Sequence, residues 1–223
     1  MREKAKKHVN KKGLSVADIM GDNDFRISIF GSARTHHEDT VYEDAFELAR
    51  WIGEKKWGLV TGGGPGVMEA ANAGHALGDP ESDSNSIGLV IKLPHENKGN
   101  EYLEVTQHFE KFSDRLDTFM ALSNVVVVMP GGIGTCLELF YSWQLVQVSH
   151  VEPMPIILVG KMWPKLIKWV REELVERKLV SPEDMDCIHI ARDVEEAKKI
   201  ISKEHDRYVS GDIDYNFNRY KLR

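Results

Sequence analysis

Short bursts of apolar, β-forming residues alternate along the chain with longer segments in which apolar residues recur at helical spacing. The first burst, Phe25 to Phe30, precedes a helical stripe that contains Tyr42, Phe46 and Trp51. Further strands are predicted over Gly58 to Thr61, Ser86 to Leu93, Val125 to Met129, Pro155 to Val159 and a shorter segment, Cys187 to Ile190. Such alternation predicts βαβ units and an α/β, doubly wound, mainly parallel sheet with helices on both faces.

The same pattern divides the chain into one domain with two flanking segments. Residues 1–24 are basic before Gly13 and mildly apolar after it, which is typical of a basic N-terminal arm or a short surface helix. Residues 25–205 are predicted to form a single Rossmann-like nucleotide-binding domain, and residues 206–223 a C-terminal tail. Internal repeats and low-complexity linkers are absent from the sequence.

Composition excludes several classes of function. Of the 223 residues, 42% are hydrophobic and 29% are charged, which is the usual range for globular proteins. The net charge is −6, whereas general nucleic-acid and membrane-surface binders carry an excess of Lys and Arg. An apolar run long enough for a transmembrane helix is absent. We therefore expect neither nucleic acid nor membrane as a partner.

The cysteines and histidines give no metal-ligand spacing. Cys136 and Cys187 do not belong to a CxxC pair. His36, His37 and His95 lack the spacing of metal ligands and are interpreted as surface histidines. The basic opening of the chain is not followed by the apolar run of a signal peptide. We expect no metal, no cofactor and a cytoplasmic location.

The first of three glycine turns, Gly31-Ser32, follows the first predicted strand. One glycine at such a position is common in doubly wound folds and by itself indicates a tight turn. Ser32 could add a hydroxyl to whatever the other turns bind. Because the carboxyl ends of parallel strands meet at one edge of the sheet, the three turns should converge on a single ligand site.

The second turn, TGGGPGVMEAAN, is more informative. Its glycines allow unusual backbone angles and a close approach of amides to a ligand: Gly62, Gly63, Gly64 and Gly66. Pro65 is suited to start the next helix, whose free amides and positive end attract anions. The turn is neither a P-loop nor a GxGxxG fingerprint, so neither a triphosphate–magnesium site nor a dinucleotide-dependent oxidoreductase is supported.

The third turn, PGGIGTCLE, follows the most apolar strand and opens a helix. Its predicted anion-binding residues are Gly131, Gly132, Ile133, Gly134 and Thr135. Glu138 lies one helical turn beyond Thr135 on the same side. It is either an acid that favours the helix dipole or a functional carboxylate beside the anion site.

Polar residues near these turns are candidates for binding ribose or base. Glu69 and Asn72 follow the end of the triple-glycine turn, Gly66, by less than two helical turns, which favours contact with a ribose. Glu96, Asn97, Asn100 and Tyr102 occupy a polar loop that could close over a ligand but could equally be an ordinary loop. Asp114 and Asp117 are interpreted as helix-face charges.

PGGIGTCLE fits the PGGxGTxxE signature of the Lonely guy family at every fixed position. GGGPGVMEAAN and GLVIKLPHENKGNEY resemble two further segments of the longer members, and the resemblance covers about Ile27 to Gly160. Members of this family typically hydrolyse nucleoside 5′-monophosphates to free base and ribose 5-phosphate, without metal. Many were first labelled lysine decarboxylases, although a cofactor-binding lysine site is not found in this sequence.

The resemblance implies a catalytic pair and a homodimer or higher homo-oligomer. The family's arginine, fifteen residues before the signature proline, corresponds to Arg115, and its glutamate corresponds to Glu138. Arg115 would neutralise the phosphate or polarise the departing base. The family usually has lysine after this arginine, whereas this chain has Leu116. The alternative to a hydrolase is a non-catalytic carrier or sensor of a phosphorylated ligand, similar to the family's molybdenum-cofactor carriers.

Overall fold

Seven strands and seven α-helices make up the described chain. The computed structural model describes residues 15–20, 24–92 and 99–211. The strands are β1 (Arg26–Phe30), β2 (Gly58–Thr61), β3 (Ser86–Ile91), β4 (Val105–Phe109), β5 (Val125–Val128), β6 (Ile156–Val159) and β7 (Ile188–Ala191). The helices are α1 (Val16–Ile19), α2 (Thr40–Glu54), α3 (Val67–Gly78), α4 (Phe112–Leu122), α5 (Ile133–Gln147), α6 (Trp163–Val170) and α7 (Val194–Ser210).

The strands form one parallel sheet in the order β4-β3-β2-β1-β5-β6-β7. The chain winds outward from β1 to β4 in one direction and from β5 to β7 in the other. The winding direction therefore reverses between β1 and β5. Crevices at the carboxyl ends of the strands at such a point are where open α/β sheets bind ligands.

Helices cover both faces of this sheet, which confirms the predicted α/β fold. One apolar layer joins the sheet to α4, α5 and α6, and the other joins it to α2, α3 and α7. Central strand β5 contributes Val126 and Val128 to the first layer and Val125 and Val127 to the second. Its uninterrupted apolar sequence follows from burial on both faces.

Strand β4 was not predicted from the sequence. Its residues, VTQHF, include polar side chains because it is an edge strand, with only Val105 and Phe109 buried. It pairs along its whole length with β3, from Ile87 opposite Val105 to Ile91 opposite Phe109. The added strand leads directly into α4, the helix that carries Arg115.

The ends of the domain differ from the predicted boundaries. Within the segment predicted as an arm or a short surface helix, Ser15 caps the short helix α1, and Val16 and Ile19 are buried against the domain. At the other end α7 continues to Ser210, so the boundary predicted after residue 205 falls inside a helix. Among the described residues, we find no helix with the length and apolar character needed to span a bilayer.

Candidate active site

The three glycine turns meet at one edge of the sheet, as predicted. They follow β1, β2 and β5, which are adjacent, and together they line a cleft of about 570 Å³. The predicted site residues lining it are Gly31, Ser32, Gly62, Gly64, Arg115, Gly132, Ile133, Gly134, Thr135 and Glu138. Gly63, Gly66 and Gly131 belong to the same turns but do not line the cleft. A volume of this size is in the range of small-molecule sites.

Backbone hydrogen bonds join the turns to one another. The amide of Ser32 donates to the carbonyl of Pro130 (3.2 Å), which connects the first turn to the third. The amide of Val67 donates to the carbonyl of Ser32 (3.0 Å), which connects the second turn to the first. The cleft wall is therefore one hydrogen-bonded unit, although its parts are distant in sequence.

Gly66 begins α3 in a conformation that requires glycine. Its φ is +69°, and a Cβ there would collide with the carbonyl oxygen of Ser32. Gly66 precedes the first helical residue, Val67, so the prediction that Pro65 starts the helix is wrong by two positions. Pro65 instead lies in the turn before the cap.

Arg115 is held below the second turn by several contacts. Its side chain is 7% exposed, Nε donates to the carbonyl of Leu89 (2.6 Å), and the guanidinium lies 5.1 Å from the ring centroid of Phe119. A Cβ at Gly62 would collide with the arginine's terminal nitrogen, so this glycine leaves room for the guanidinium. Arg115 is therefore a buried, oriented cation.

Glu138 forms an ion pair with Arg115 across the cleft. The Nη1 of Arg115 donates to Oε1 of Glu138 at 3.3 Å, and the Glu138 side chain is 13% exposed. Burial raises the pKa of Glu138 from 4.5 to about 7, although the neighbouring Arg115 opposes the rise. Burial likewise lowers the pKa of Arg115, against the effect of Glu138. The glutamate is thus a carboxyl group that can gain or lose a proton near neutral pH.

The start of α5 places donors beside this pair. Gly132 is the N-cap, and Ile133, Gly134 and Thr135 form the first turn, whose amides have no helical partner. Thr135 is buried and packs its hydroxyl side against Gly131. The helix dipole and these amides favour an anion at this point. Glu138 follows one turn further along the same helix.

Asn72 and Asn100 hold the second turn rather than lining the cleft. Asn72 is fully buried, accepts from Thr61 Oγ1 (2.8 Å) and donates to Ser86 Oγ (2.9 Å). Asn100 donates from Nδ2 to the carbonyls of Gly63 and Gly64 (3.2 and 3.1 Å) and to Asn72 Oδ1 (2.9 Å). The predicted contact of Asn72 with ribose is therefore not supported by its position in the structure.

The remaining candidates lie around the cleft or outside the described chain. Glu69 is half-buried, its Oε1 lies 3.8 Å from His37 Nε2, and it does not line the cleft. Glu96 and Asn97 fall outside the described residues. Asp117 accepts a hydrogen bond from Tyr141, which joins α4 to α5. Leu116 is buried beside Arg115.

The cleft thus combines a wall with free amides at a helix start and a buried carboxyl group whose pKa is raised to about 7. Over the residues that the structure describes, groups of three or more His, Cys, Asp and Glu side chains suited to a metal are not found. Fold and cleft together define a Rossmann-like protein with a cleft at the reversal of strand order, where open α/β sheets usually bind ligands.

A family model described as "Possible lysine decarboxylase" matches residues 68–201, more than half of the chain. The chain belongs to this family, whose members include the Lonely guy proteins. This range contains Arg115, the third glycine turn and Glu138, but neither the first turn nor the four glycines of the second.

Two relatives bear names that describe an activity. The pyrimidine/purine nucleotide 5′-monophosphate nucleosidase of Escherichia coli (strain K12) is 29% identical over 134 residues, which are 54% of this chain and 29% of that protein. The chain thus spans less than a third of that relative's length. The cytokinin riboside 5′-monophosphate phosphoribohydrolase of Mycobacterium tuberculosis is 26% identical over 186 residues, 81% of this chain and 94% of that protein.

Solved structures share the fold. The molybdenum cofactor carrier protein of Chlamydomonas reinhardtii superposes with a TM-score of 0.62 at 22% identity, covering 82% of this chain and 99% of that one. The molybdenum cofactor binding protein of Rippkaea orientalis gives a TM-score of 0.58 at 21% identity, covering 81% and 96%. At these identities the likeness concerns architecture alone.

Proposed function

We propose that the chain is a nucleoside 5′-monophosphate phosphoribohydrolase, which hydrolyses the N-glycosidic bond to release free base and ribose 5-phosphate. The observation that carries the proposal is the buried ion pair of Arg115 and Glu138, one helical turn from the amide and hydroxyl of Thr135. A ribose 5-phosphate can bridge these two points, with its phosphate at the start of α5 and its anomeric carbon near Glu138. The names of both relatives support the same substrate class.

In the proposed reaction, the bond between C1′ and the base nitrogen breaks and the base leaves with the electron pair. The ribose passes through an oxocarbenium-like cation, which a neighbouring carboxylate stabilises. Water then bonds to C1′ and transfers a proton to Glu138, and this proton passes on to the departed base, which regenerates the carboxylate. Glu138 must therefore enter the reaction as a carboxylate.

Arg115 keeps that carboxylate in place and partly ionised. Its attraction opposes the rise in the pKa of Glu138 that burial causes. The Nε–Leu89 contact fixes the guanidinium, so only its terminal nitrogens face Glu138 and the ligand. From there Arg115 can also polarise the departing base.

The test is base release by the wild type and Glu138→Gln, with a panel of AMP, GMP, CMP and a cytokinin ribotide. The amide preserves the shape of the side chain but not its charge, so we expect turnover to fall roughly a hundred- to a thousandfold. Affinity for the monophosphate should change little. Glu81→Gln, an exposed carboxylate before β3 at the opposite edge of the sheet, is the matched control and should retain full activity.

Near-normal turnover by Glu138→Gln would contradict the assigned role. No base release by the wild type with any monophosphate would reject the hydrolase. A monophosphate that binds without reacting would then favour the carrier of a phosphorylated ligand, with Leu116 as the first residue to replace by Lys.

We further propose that the protein is a homodimer that uses the outer face of α5. Apolar side chains on this face are exposed at helical spacing: Ile133 (87%), Leu137 (47%), Phe140 (40%) and Val148 (57%). Ile133 also lines the cleft, so a second subunit on this face would lie at the mouth of the site. The cytoplasmic location stays a prediction from the sequence.

A further inference from the structure

The cleft contains a positive charge that none of the described side chains neutralises. The charged side chains lining it are Arg34, Arg115 and Glu138. Arg115 and Glu138 compensate one another through their ion pair. The side chain of Arg34 is exposed and, within the described parts of the chain, has neither a hydrogen bond nor an ion pair. An exposed cation that faces a ligand cleft without an acidic partner is available to an anionic ligand.

The backbone of Arg34 is fixed close to the third glycine turn. Its amide donates to Ser32 Oγ at 3.0 Å, and the amide of Ser32 donates to the Pro130 carbonyl. Pro130 directly precedes the glycines at the start of α5. The first turn therefore carries Arg34 to the same end of the cleft as the amides of Gly132 and Ile133.

Ser32 has a hydrogen available at this position. Because its hydroxyl oxygen accepts the amide of Arg34, its own O–H can donate to a ligand. Ser32 and Arg34 both line the cleft. This corner therefore presents a hydroxyl and a guanidinium, which are suited to the oxygens of a phosphate monoester.

Arg115 is poorly suited to the same task. Its Nε is occupied by the carbonyl of Leu89, and Nη1 by Glu138. The negative charge of that carboxylate would also repel a phosphate placed against the pair. Arg34, which has no such partner among residues 15–20, 24–92 and 99–211, is the cleft cation best able to bind a doubly charged group.

We propose that Arg34 binds the 5′-phosphate of the substrate and selects phosphorylated nucleosides over unphosphorylated ones. The phosphate would lie between the guanidinium of Arg34 and the amides at the start of α5, with the hydroxyls of Ser32 and Thr135 as further donors. The identity of the ligand as a nucleoside monophosphate rests on the proposed function. The requirement for a phosphate monoester does not.

Calorimetry measures the affinity for ribose 5-phosphate and for adenosine separately. The first ligand carries the phosphate and the second does not, and the experiment requires no turnover. We expect Arg34→Ala to weaken ribose 5-phosphate binding by about 10- to 100-fold, the usual effect of losing a charge-assisted hydrogen bond. Adenosine binding should not change. Arg34→Lys should restore part of the affinity, because lysine keeps the charge but not the planar fork.

Arg171→Ala is the matched control, since Arg171 is exposed at the end of α6 and does not line the cleft. It should bind ribose 5-phosphate like the wild type. In steady state with AMP, Arg34→Ala should raise KM with little change in kcat, because the phosphate contact is made equally in ground and transition states.

Equal affinity of the wild type and Arg34→Ala for ribose 5-phosphate would overturn the assignment, as would equal losses for ribose 5-phosphate and adenosine. Failure of the wild type to bind ribose 5-phosphate would also overturn it. If the wild type releases base and Arg34→Ala does so equally well, the role of Arg34 is rejected and the hydrolase stands. If ribose 5-phosphate binding depends on Arg34 but no monophosphate releases base, the hydrolase is rejected and the role of Arg34 stands.

Discussion

Acidification should switch off the proposed reaction about two and a half pH units above the range in which an ordinary glutamate titrates. Burial raises the pKa of Glu138 to about 7, and the reaction needs its carboxylate form. Roughly nine tenths of the carboxyl groups are ionised near pH 8 and roughly one tenth near pH 6, so kcat/KM should fall about tenfold over this interval. A glutamate with the ordinary pKa of 4.5 would lose only a few per cent.

The assay is base release from AMP at low substrate concentration, where the rate reports kcat/KM and the titration of the free enzyme. The substrate also titrates, because a phosphate monoester has a second pKa of about 6. The affinity of Glu138→Gln for AMP over the same interval measures that contribution, since this variant has no carboxyl at position 138. Dividing kcat/KM by this affinity at each pH leaves the titration of Glu138.

A loss of folded protein would not produce this acid limb through Glu138. Because its pKa is raised on folding, the group contributes stability that is fully present below its unfolded pKa and is lost as the pH rises through about 7. Acidification therefore favours the folded state at this residue while it removes activity. Melting temperatures at both ends of the interval provide the check. A corrected kcat/KM that stays flat from about pH 8 to about pH 6 would refute the role of a carboxylate with this pKa.

Two further results are expected. Gly132→Val should weaken AMP binding in calorimetry without lowering the melting temperature, because a Cβ at Gly132 meets no atom within 4 Å; Gly131→Ala, whose Cβ would collide with Thr135, should lower the melting temperature. Unchanged affinity in Gly132→Val would place the ligand elsewhere. Light scattering at micromolar concentration should give a dimer that Phe140→Glu dissociates, whereas a monomeric wild type would exclude the proposed use of α5.

The position of the cleft could be predicted because it follows from the sheet rather than from individual side chains. Once Val125 to Met129 is recognised as a strand buried on both faces, parallel pairing brings its carboxyl end beside those of the other strands. Strand β4 escaped prediction because its VTQHF sequence carries polar residues and no glycine turn follows it. Edge strands are exposed on one side, so their pattern is less apolar.

The contacts of individual side chains were less accessible to sequence reasoning. By periodicity alone Arg115 would be assigned to a solvated helix face. Only the family resemblance makes it a candidate catalytic residue. Its buried position depends on Leu89, which is distant in sequence. The spacing after the second turn predicts Asn72 near the ribose. Spacing gives the distance along a helix, but it does not show which face of the helix packs on the sheet. Arg34 had no motif to mark it, and its significance comes from the absence of a described side-chain partner.

The hydrogen bonds among the turns have a consequence for the kinetics of binding. Glycine-rich segments that order only when a ligand arrives lose conformational entropy on binding, which weakens the complex and slows its formation. Here Asn100 holds the carbonyls of Gly63 and Gly64, and Ser32 connects its turn to both others. In this protein the conformational entropy of the turns is lost during folding, before a ligand binds. A small phosphorylated ligand should therefore enter a preformed wall, with single-phase association whose rate rises linearly with ligand concentration.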